Sequence, residues 1–131
     1  MTKQARRGAQ RILLVDDHSP TRNMYSQALA DQNYQTIHAS NGEEAFASAL
    51  QEQPDLILLD LMMPGIDGYE TLAKFKGDPN THSIKVIMLT AVDRPLERRL
   101  AREMGASGYL VKPVRLQDLE REIRTVMSIE A

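Results

Sequence analysis

Five short apolar segments alternate with amphipathic segments along the chain. We predict that the apolar segments are strands, at residues 12–15, 35–39, 55–60, 84–90 and 107–111. The third segment is continuously apolar from Leu56 to Leu59, which is typical of a central parallel strand covered on both faces. A helix is predicted after each strand, where apolar residues recur at helical spacing.

Capping signals mark where the first two helices begin and end. Ser19 followed by Pro20 predicts a helix with Ser19 as its N-cap and Pro20 at its first position. Asn41, with Glu44 three residues later, resembles a capping box for a second helix that should stop before Pro54. Both signals are local, so they are independent of how the helices pack.

The later helices carry similar signals. Asp67 and Glu70 are expected to cap a third helix that ends near Gly77. The fourth begins near residue 94 and stops at Gly105, and its apolar stripe consists of Leu96, Leu100 and Met104. The inward face of the fifth is predicted to consist of Leu116, Leu119, Ile123 and Val126.

This (βα)5 alternation predicts an α/β fold, with a doubly wound parallel sheet of five strands and helices on both faces. In such sheets, ligands bind beyond the carboxyl ends of the strands, near the point where the strand order reverses. The residues that follow the strands are therefore the ones to examine for chemistry.

Composition narrows the class of protein. The chain has 131 residues, 42% of them hydrophobic and 26% charged, which suits one globular domain. A formal net charge of −2 gives no general reason to expect nucleic-acid binding. The chain has no cysteine, which excludes disulfides, thiolate metal sites and a cysteine nucleophile. No apolar run reaches the roughly 18 residues of a membrane span, so we expect a soluble, cytoplasmic protein.

The domain boundaries follow from the same patterns. Residues 1–10 are expected to form a basic, flexible tail, because Lys3, Arg6 and Arg7 have no acidic neighbour there. Residues 11–128 then form the domain, and residues 129–131 form a short C-terminal end.

Polar side chains stand at the carboxyl ends of four predicted strands. Asp16 and Asp17 follow the first strand, Asp60 and Thr90 end the third and fourth, and Lys112 follows the fifth. Taken singly, each has an ordinary explanation as a cap, a turn residue or a surface charge. Because the carboxyl ends of parallel strands meet at one edge of the sheet, we expect all five to face one cleft.

These residue types favour phosphoryl transfer. Three clustered carboxylates repel one another unless they hold protons or a cation, and oxygen ligands alone favour Mg2+. Lys112 and Thr90 would stabilise the oxygens of a phosphoryl group in transfer. Asp60 would be the nucleophile, since a carboxylate can form an acyl phosphate.

Four sequence blocks sharpen this interpretation: ILLVDD at 12–17, DLMMPGIDG at 60–68, IMLTA at 87–91 and GASGYLVKP at 105–113. Together they resemble the signatures of bacterial receiver domains of two-component response regulators, of the chemotaxis-regulator-like kind. They occur in the family's order and spacing and cover roughly residues 11–128. The resemblance implies a flavodoxin-like fold with strand order 2-1-3-4-5.

The resemblance also implies roles within the cleft. Asp60 is similar to the phosphoacceptor, and Thr90 and Lys112 are similar to the residues that bind phosphoryl oxygens. The implied Mg2+ ligands are Asp16 (mainly through water), Asp17, Asp60 and the backbone carbonyl of Met62.

A conformational switch is implied as well. Tyr109 matches the family's switch aromatic, which turns inward when Thr90 engages the phosphoryl group. The face formed by the fourth helix, the fifth strand and the fifth helix would change as a result. The Lys112–Pro113 peptide bond is expected to be cis.

The implied partner is a sensor histidine kinase or a histidine phosphotransfer protein, which donates from a phosphohistidine. The chain would then be a signalling receiver rather than an enzyme, and would catalyse only its own phosphoryl transfer and dephosphorylation. Its output would reach a protein target or an effector domain, with no direct contact to nucleic acid or membrane. A phosphorylation-dependent homodimer is left open, and so is the choice between a stand-alone regulator and part of a larger one.

Three alternatives remain beside this interpretation. A flavodoxin would share the fold, but Asp16 and Asp17 would repel a flavin phosphate, and the chain has no tryptophan. A phosphatase of the haloacid type needs a second aspartate two residues after the nucleophile, where this chain has Met62. An interaction module that is not switched by phosphate would show no acyl phosphate and no effect of Mg2+.

Overall fold

The computed structural model describes residues 10–63, 65 and 67–128. The predicted tail, apart from Gln10, and the predicted C-terminal end lie outside the described residues. Between them, strands and helices alternate as predicted. The elements are β1 (Arg11–Val15), α1 (Ser19–Ala30), β2 (Gln35–Ala39), α2 (Gly42–Glu52), β3 (Leu56–Leu59), α3 (Gly68–Gly77), β4 (Lys85–Thr90), α4 (Pro95–Glu103), β5 (Gly108–Val111) and α5 (Leu116–Ser128).

The five strands form one parallel sheet in the order β2-β1-β3-β4-β5, which confirms the predicted topology. The order reverses between β1 and β3, where Val15 pairs with Leu59. Asp16 and Asp60, the next residue on each strand, therefore emerge side by side at the carboxyl edge. This is the position at which such sheets bind ligands.

The sheet separates two hydrophobic clusters. Helices α2, α3 and α4 cover one face and α1 and α5 cover the other, as Phe75 in the first cluster and Leu29 in the second illustrate. Along β3, Ile57 and Leu59 belong to the first cluster, and Leu56 and Leu58 belong to the second. Burial on both faces explains why this strand is continuously apolar.

Of the three caps predicted from the sequence, the one at α3 is complete and the one at α2 is present in part. Asp67 and Glu70 form a reciprocal capping box at α3, which ends at Gly77 as predicted. Asn41 caps α2 by accepting a hydrogen bond from the Glu44 amide at 2.8 Å. The Glu44 carboxylate, however, accepts from the amide of Ser40 at 2.7 Å rather than from Asn41.

The predicted cap of α1 was wrong. The N-cap is His18, whose Nδ1 accepts a hydrogen bond from the Thr21 amide at 3.3 Å, and Ser19 already lies in the helix. A second local contact explains the difference: the Asp16 carboxylate accepts from the His18 amide, two residues along the chain, at 2.9 Å and so ends the strand in a tight turn. The helix then begins one residue earlier than the Ser-Pro signal indicates.

Two apolar stripes are less buried than their spacing suggests. On α4, Leu96 is 70% exposed and Leu100 is 40% exposed, while Ala101 is fully buried. On α5, Leu119, Ile123 and Val126 are buried as predicted, but Leu116 is 37% exposed, so its inward placement was wrong. Helical spacing shows that residues share a face, whereas neighbouring elements decide whether that face is covered.

Candidate functional site

Asp16 and Asp60 share a single ammonium group. Lys112 Nζ donates to Asp16 Oδ2 at 2.7 Å and to Asp60 Oδ2 at 2.9 Å. The side chains of Lys112, Asp16 and Asp60 are 15%, 11% and 8% exposed. The fold therefore joins residues from β1, β3 and β5 into one partly buried charge cluster.

Lys112 is held in its charged form. Its burial alone would lower the pKa, because desolvation penalises the ammonium ion, but the hydrogen bonds and charges of Asp16 and Asp60 outweigh this effect. The pKa of Lys112 is raised as a result. A fixed positive charge thus lies between two carboxylates at neutral pH.

The other oxygen of each carboxylate is fixed by its own turn. Asp16 Oδ1 accepts from the amide of His18 at 2.9 Å, and Asp60 Oδ1 accepts from the amide of Met62 at 3.1 Å. Each carboxylate therefore has one oxygen on a backbone N–H and the other on Lys112. This pattern restricts the rotation of both side chains and pre-organises the cluster.

Gly68 packs directly against the end of β3. A Cβ atom at this position would lie 2.5 Å from the Asp60 carbonyl oxygen and 2.5 Å from Leu61 Cα. Both contacts are with backbone, which has little freedom to move. Only glycine allows the first residue of α3 to approach Asp60 this closely.

Thr90 and Tyr109 both bond to the backbone of Val92. Thr90 is fully buried, and its Oγ1 accepts from the Val92 amide at 3.3 Å. Tyr109 is 9% exposed, and its hydroxyl donates to the Val92 carbonyl at 2.7 Å. Arg98 lies over the tyrosine ring, 5.0 Å from its centroid. One loop residue therefore connects the end of β4 to the aromatic ring on β5.

The other predicted metal ligands are exposed. Asp17 is exposed, and the Met62 side chain extends into solvent. Lys112 and Pro113 are joined by a cis peptide bond. Asp16, Asp60 and Lys112 are thus brought into contact, whereas Asp17 and the Met62 side chain are exposed.

The donor set suits a hard cation with few protein ligands. Within residues 10–63, 65 and 67–128, no three His, Cys, Asp or Glu side chains are close enough to hold a metal by themselves. The Asp16–Asp60 pair nevertheless offers carboxylate oxygens at one point, beside exposed Asp17. Mg2+ commonly takes one or two carboxylates and completes its shell with water and phosphate oxygens. The residues present therefore fit Mg2+.

Two contacts with the site have no signal in the sequence. Arg22 Nη1 donates to the carbonyl oxygen of Asp16 at 2.6 Å. Tyr25 is buried, and its hydroxyl accepts from the amide of Val114 at 3.3 Å, two residues after Lys112. In the sequence, both are ordinary residues of an amphipathic helix.

A family model described as the response regulator receiver domain matches residues 12–124. The chain belongs to this family. The resemblance based on the four sequence blocks is thereby confirmed, and so is the class of function, since receiver domains are phosphorylation-dependent signalling switches.

Similar proteins include both short and long response regulators. Protein PilH of Pseudomonas aeruginosa is 36% identical over 119 residues, which cover 90% of this chain and 98% of PilH. Response regulator PleD of Caulobacter vibrioides is 41% identical over 104 residues, which cover 79% of this chain but only 23% of PleD. This receiver domain therefore spans less than a quarter of PleD and nearly all of PilH.

Solved structures confirm the flavodoxin-like fold. Chemotaxis protein CheY4 of Vibrio cholerae aligns with a TM-score of 0.85 at 30% identity, over 90% of this chain and 98% of that one. A response regulator from Chloroflexus aurantiacus aligns with a TM-score of 0.87, also at 30% identity. In the described part of this receiver domain, no helix combines the length and the apolar character needed to cross a membrane.

Proposed function

We propose that this receiver domain takes a phosphoryl group on Asp60 from a phosphohistidine of a sensor kinase or a histidine phosphotransfer protein. The observation that carries the proposal is the Lys112 ammonium shared by Asp16 and Asp60 at 2.7 and 2.9 Å. An Asp60 oxygen attacks phosphorus and the phosphorus–nitrogen bond breaks. The donor ring, protonated on its other nitrogen, keeps the bonding electron pair and leaves as neutral imidazole. Lys112 keeps its bond to Asp16 and transfers its other contact to a phosphoryl oxygen.

The proposed Mg2+ ligands are Asp16 (mainly through water), Asp17, Asp60 and the backbone carbonyl of Met62. Bound Mg2+ would supply positive charge for the phosphoryl oxygens, in addition to that of Lys112. The chain's own part is to hold both carboxylates in fixed rotamers, through Lys112 and the amides of His18 and Met62. Hydrolysis of the acyl phosphate by water at the same site would return the domain to its resting state.

The proposed signal passes through Val92. The Thr90 hydroxyl accepts from the Val92 amide, and its own hydrogen can donate to a phosphoryl oxygen. A shift of Thr90 toward the phosphoryl group would move Val92, whose carbonyl holds the Tyr109 hydroxyl at 2.7 Å. Since Tyr109 is already only 9% exposed, the expected inward turn would instead be a change in its hydrogen bond to Val92 and in its packing against Arg98 of α4. Such a change would alter the face formed by α4, β5 and α5.

The proposed setting is the cytoplasm, with residues 11–128 as the folded receiver. The recipient of the signal is a protein target or an effector domain, through the face of α4, β5 and α5. The domain acts as a signalling protein whose chemistry is limited to its own phosphorylation and dephosphorylation.

Acetyl phosphate, Mg2+ and intact mass spectrometry test this proposal. Wild type should gain a single phosphoryl adduct that hydroxylamine removes and EDTA prevents. Asp60→Asn should gain none, while the control Asp118→Asn, a partly exposed aspartate on α5 that pairs with Arg121, should behave like wild type. An adduct on Asp60→Asn would refute the assignment of the phosphoacceptor. If wild type gains no adduct from acetyl phosphate or from a phosphorylated histidine protein and binds no Mg2+, the unswitched interaction module is favoured.

A second measurement tests the switch. Side-chain NMR of Tyr109 should report a different rotamer distribution with and without a phosphoryl mimic. An unchanged distribution would show that Tyr109 only packs.

A further inference from the structure

Arg22 reaches from α1 to the backbone of the acidic site and to the edge strand β2. Its Nη1 donates to the carbonyl oxygen of Asp16 at 2.6 Å, and its Nε donates to Nδ1 of His38 at 3.0 Å. The planar guanidinium group can make both bonds in one fixed orientation. Arg22 thus connects the peptide that follows β1 to a side chain on the neighbouring strand.

His38 is itself oriented by further hydrogen bonds. Because Nδ1 accepts from Arg22, the ring proton lies on Nε2, which is 3.1 Å from Ser26 Oγ. Ser26 Oγ in turn lies 2.6 Å from Thr36 Oγ1. His38 is exposed on the edge strand, yet partial desolvation, followed by the charge of Arg22, lowers its pKa, so the neutral acceptor is favoured. Arg22 is therefore held by a partner of fixed orientation.

The peptide unit between Asp16 and Asp17 depends on this contact. The Asp16 amide donates to the Ala39 carbonyl at 3.1 Å, and the Asp16 carboxylate accepts from the amide of His18. The carbonyl of Asp16 lies between these two bonds and is held by Arg22. Rotation of that carbonyl would reorient the peptide that leads into Asp17.

We propose that Arg22, braced by His38, is a positioning residue for the cation site, because it fixes the peptide unit between the two carboxylate residues Asp16 and Asp17. The proposal rests on the proposed function, in which both residues help to hold Mg2+. Arg22 touches neither the cation nor the phosphoryl group in this role.

The direction in which Mg2+ affinity changes when Arg22 is replaced distinguishes a positioning role from a purely electrostatic one. Removing a positive charge near a cation site should strengthen Mg2+ binding, since like charges repel. Removing a positioning contact should weaken Mg2+ binding, because binding must then also order the ligand residues. Lysine separates the two further, since it keeps the charge but lacks the planar fork that bonds Asp16 and His38 together.

The experiment measures Mg2+ affinity of the unphosphorylated protein by NMR titration of backbone amides. Arg22→Met should bind Mg2+ roughly five- to tenfold more weakly than wild type, which corresponds to the net effect of about one ordinary hydrogen bond. Arg22→Lys and His38→Ala should each lose about two- to threefold. In the double variant Arg22→Met/His38→Ala, the loss should not exceed that of Arg22→Met alone, because His38 acts through Arg22.

Arg99→Met is the matched control. Arg99 is an exposed arginine on α4, which covers the opposite face of the sheet from α1. Its loss should leave Mg2+ affinity unchanged, and circular dichroism should show that every variant is folded. Unchanged or tighter Mg2+ binding by folded Arg22→Met would overturn the inference. Absence of Mg2+ binding and of phosphorylation in wild type would instead overturn the proposed function on which it rests.

Discussion

Replacing Lys112 with methionine should destabilise the protein by leaving two carboxylates without their shared counter-charge. Lys112 contacts Asp16 and Asp60 at 2.7 and 2.9 Å, and all three side chains are at most 15% exposed. Removing one partner of a buried ion pair costs about 3–5 kcal/mol, and residual exposure reduces this to about 2–3 kcal/mol here. With a urea m-value of roughly 1–3 kcal/mol/M, the unfolding midpoint should fall by about 0.7–3 M.

Urea unfolding followed by circular dichroism in EDTA measures this difference. Adding Asp60→Asn to Lys112→Met should restore about half of the loss, because one of the two unpaired carboxylates is then neutral. Adding Mg2+ should stabilise Lys112→Met, since a ligand that binds only the folded state raises the free energy of unfolding. The reasoning is refuted if Lys112→Met unfolds within about 0.5 kcal/mol of wild type in EDTA, or if Asp60→Asn makes it still less stable.

Three further predictions concern a histidine, a glycine and an exposed leucine. The pKa of His38 is lowered in the folded state. The contribution of neutral His38 to the free energy of unfolding is therefore fully present above pH 6.5, its ordinary pKa, and is lost as pH falls through the folded-state pKa. The melting temperature of wild type should therefore fall more steeply below neutral pH than that of His38→Gln, and parallel profiles would contradict this. Gly68→Ala should destabilise by about 1–3 kcal/mol in urea, because its Cβ would lie 2.5 Å from the Asp60 carbonyl oxygen, and wild-type stability would disprove that close approach. Leu96→Gln should change the free energy of unfolding by less than about 0.5 kcal/mol, whereas Leu72→Ala in the core should cost about 2–5 kcal/mol. A large loss in Leu96→Gln would mean that this exposed leucine is packed in solution.

Local signals predicted the elements because secondary structure is largely encoded over short stretches. The continuous run from Leu56 to Leu59 identified the central strand, and Asp67 with Glu70 identified the start of α3. The exception was His18, where a hydrogen bond from its amide to the Asp16 carboxylate moved the helix start by one residue. A capping signal fails where another nearby side chain takes the cap position, as His18 does here by accepting from the Thr21 amide.

The composition of the site was also predictable to a large degree. Asp16, Asp60 and Lys112 were expected at one edge because parallel strands bring their carboxyl ends together. Their contact distances were not predictable, since Lys112 and Asp16 are 96 positions apart and meet only through the strand order and register. Its position in the sequence likewise placed Asp17 with Asp16, Asp60 and Lys112, whereas Asp17 is exposed in the structure.

The sequence by itself determined the alternation of strands and helices, the fold class and the set of residue types that meet at the carboxyl edge. The tertiary structure alone decided which polar atoms bond: Lys112 between two carboxylates, Thr90 and Tyr109 on the backbone of Val92, and Arg22 on the carbonyl of Asp16. The physical reason is the distance along the chain over which each kind of interaction acts. Periodicity and capping act over a few residues, whereas these contacts depend on how distant segments lie against one another once the sheet and both helical layers have formed.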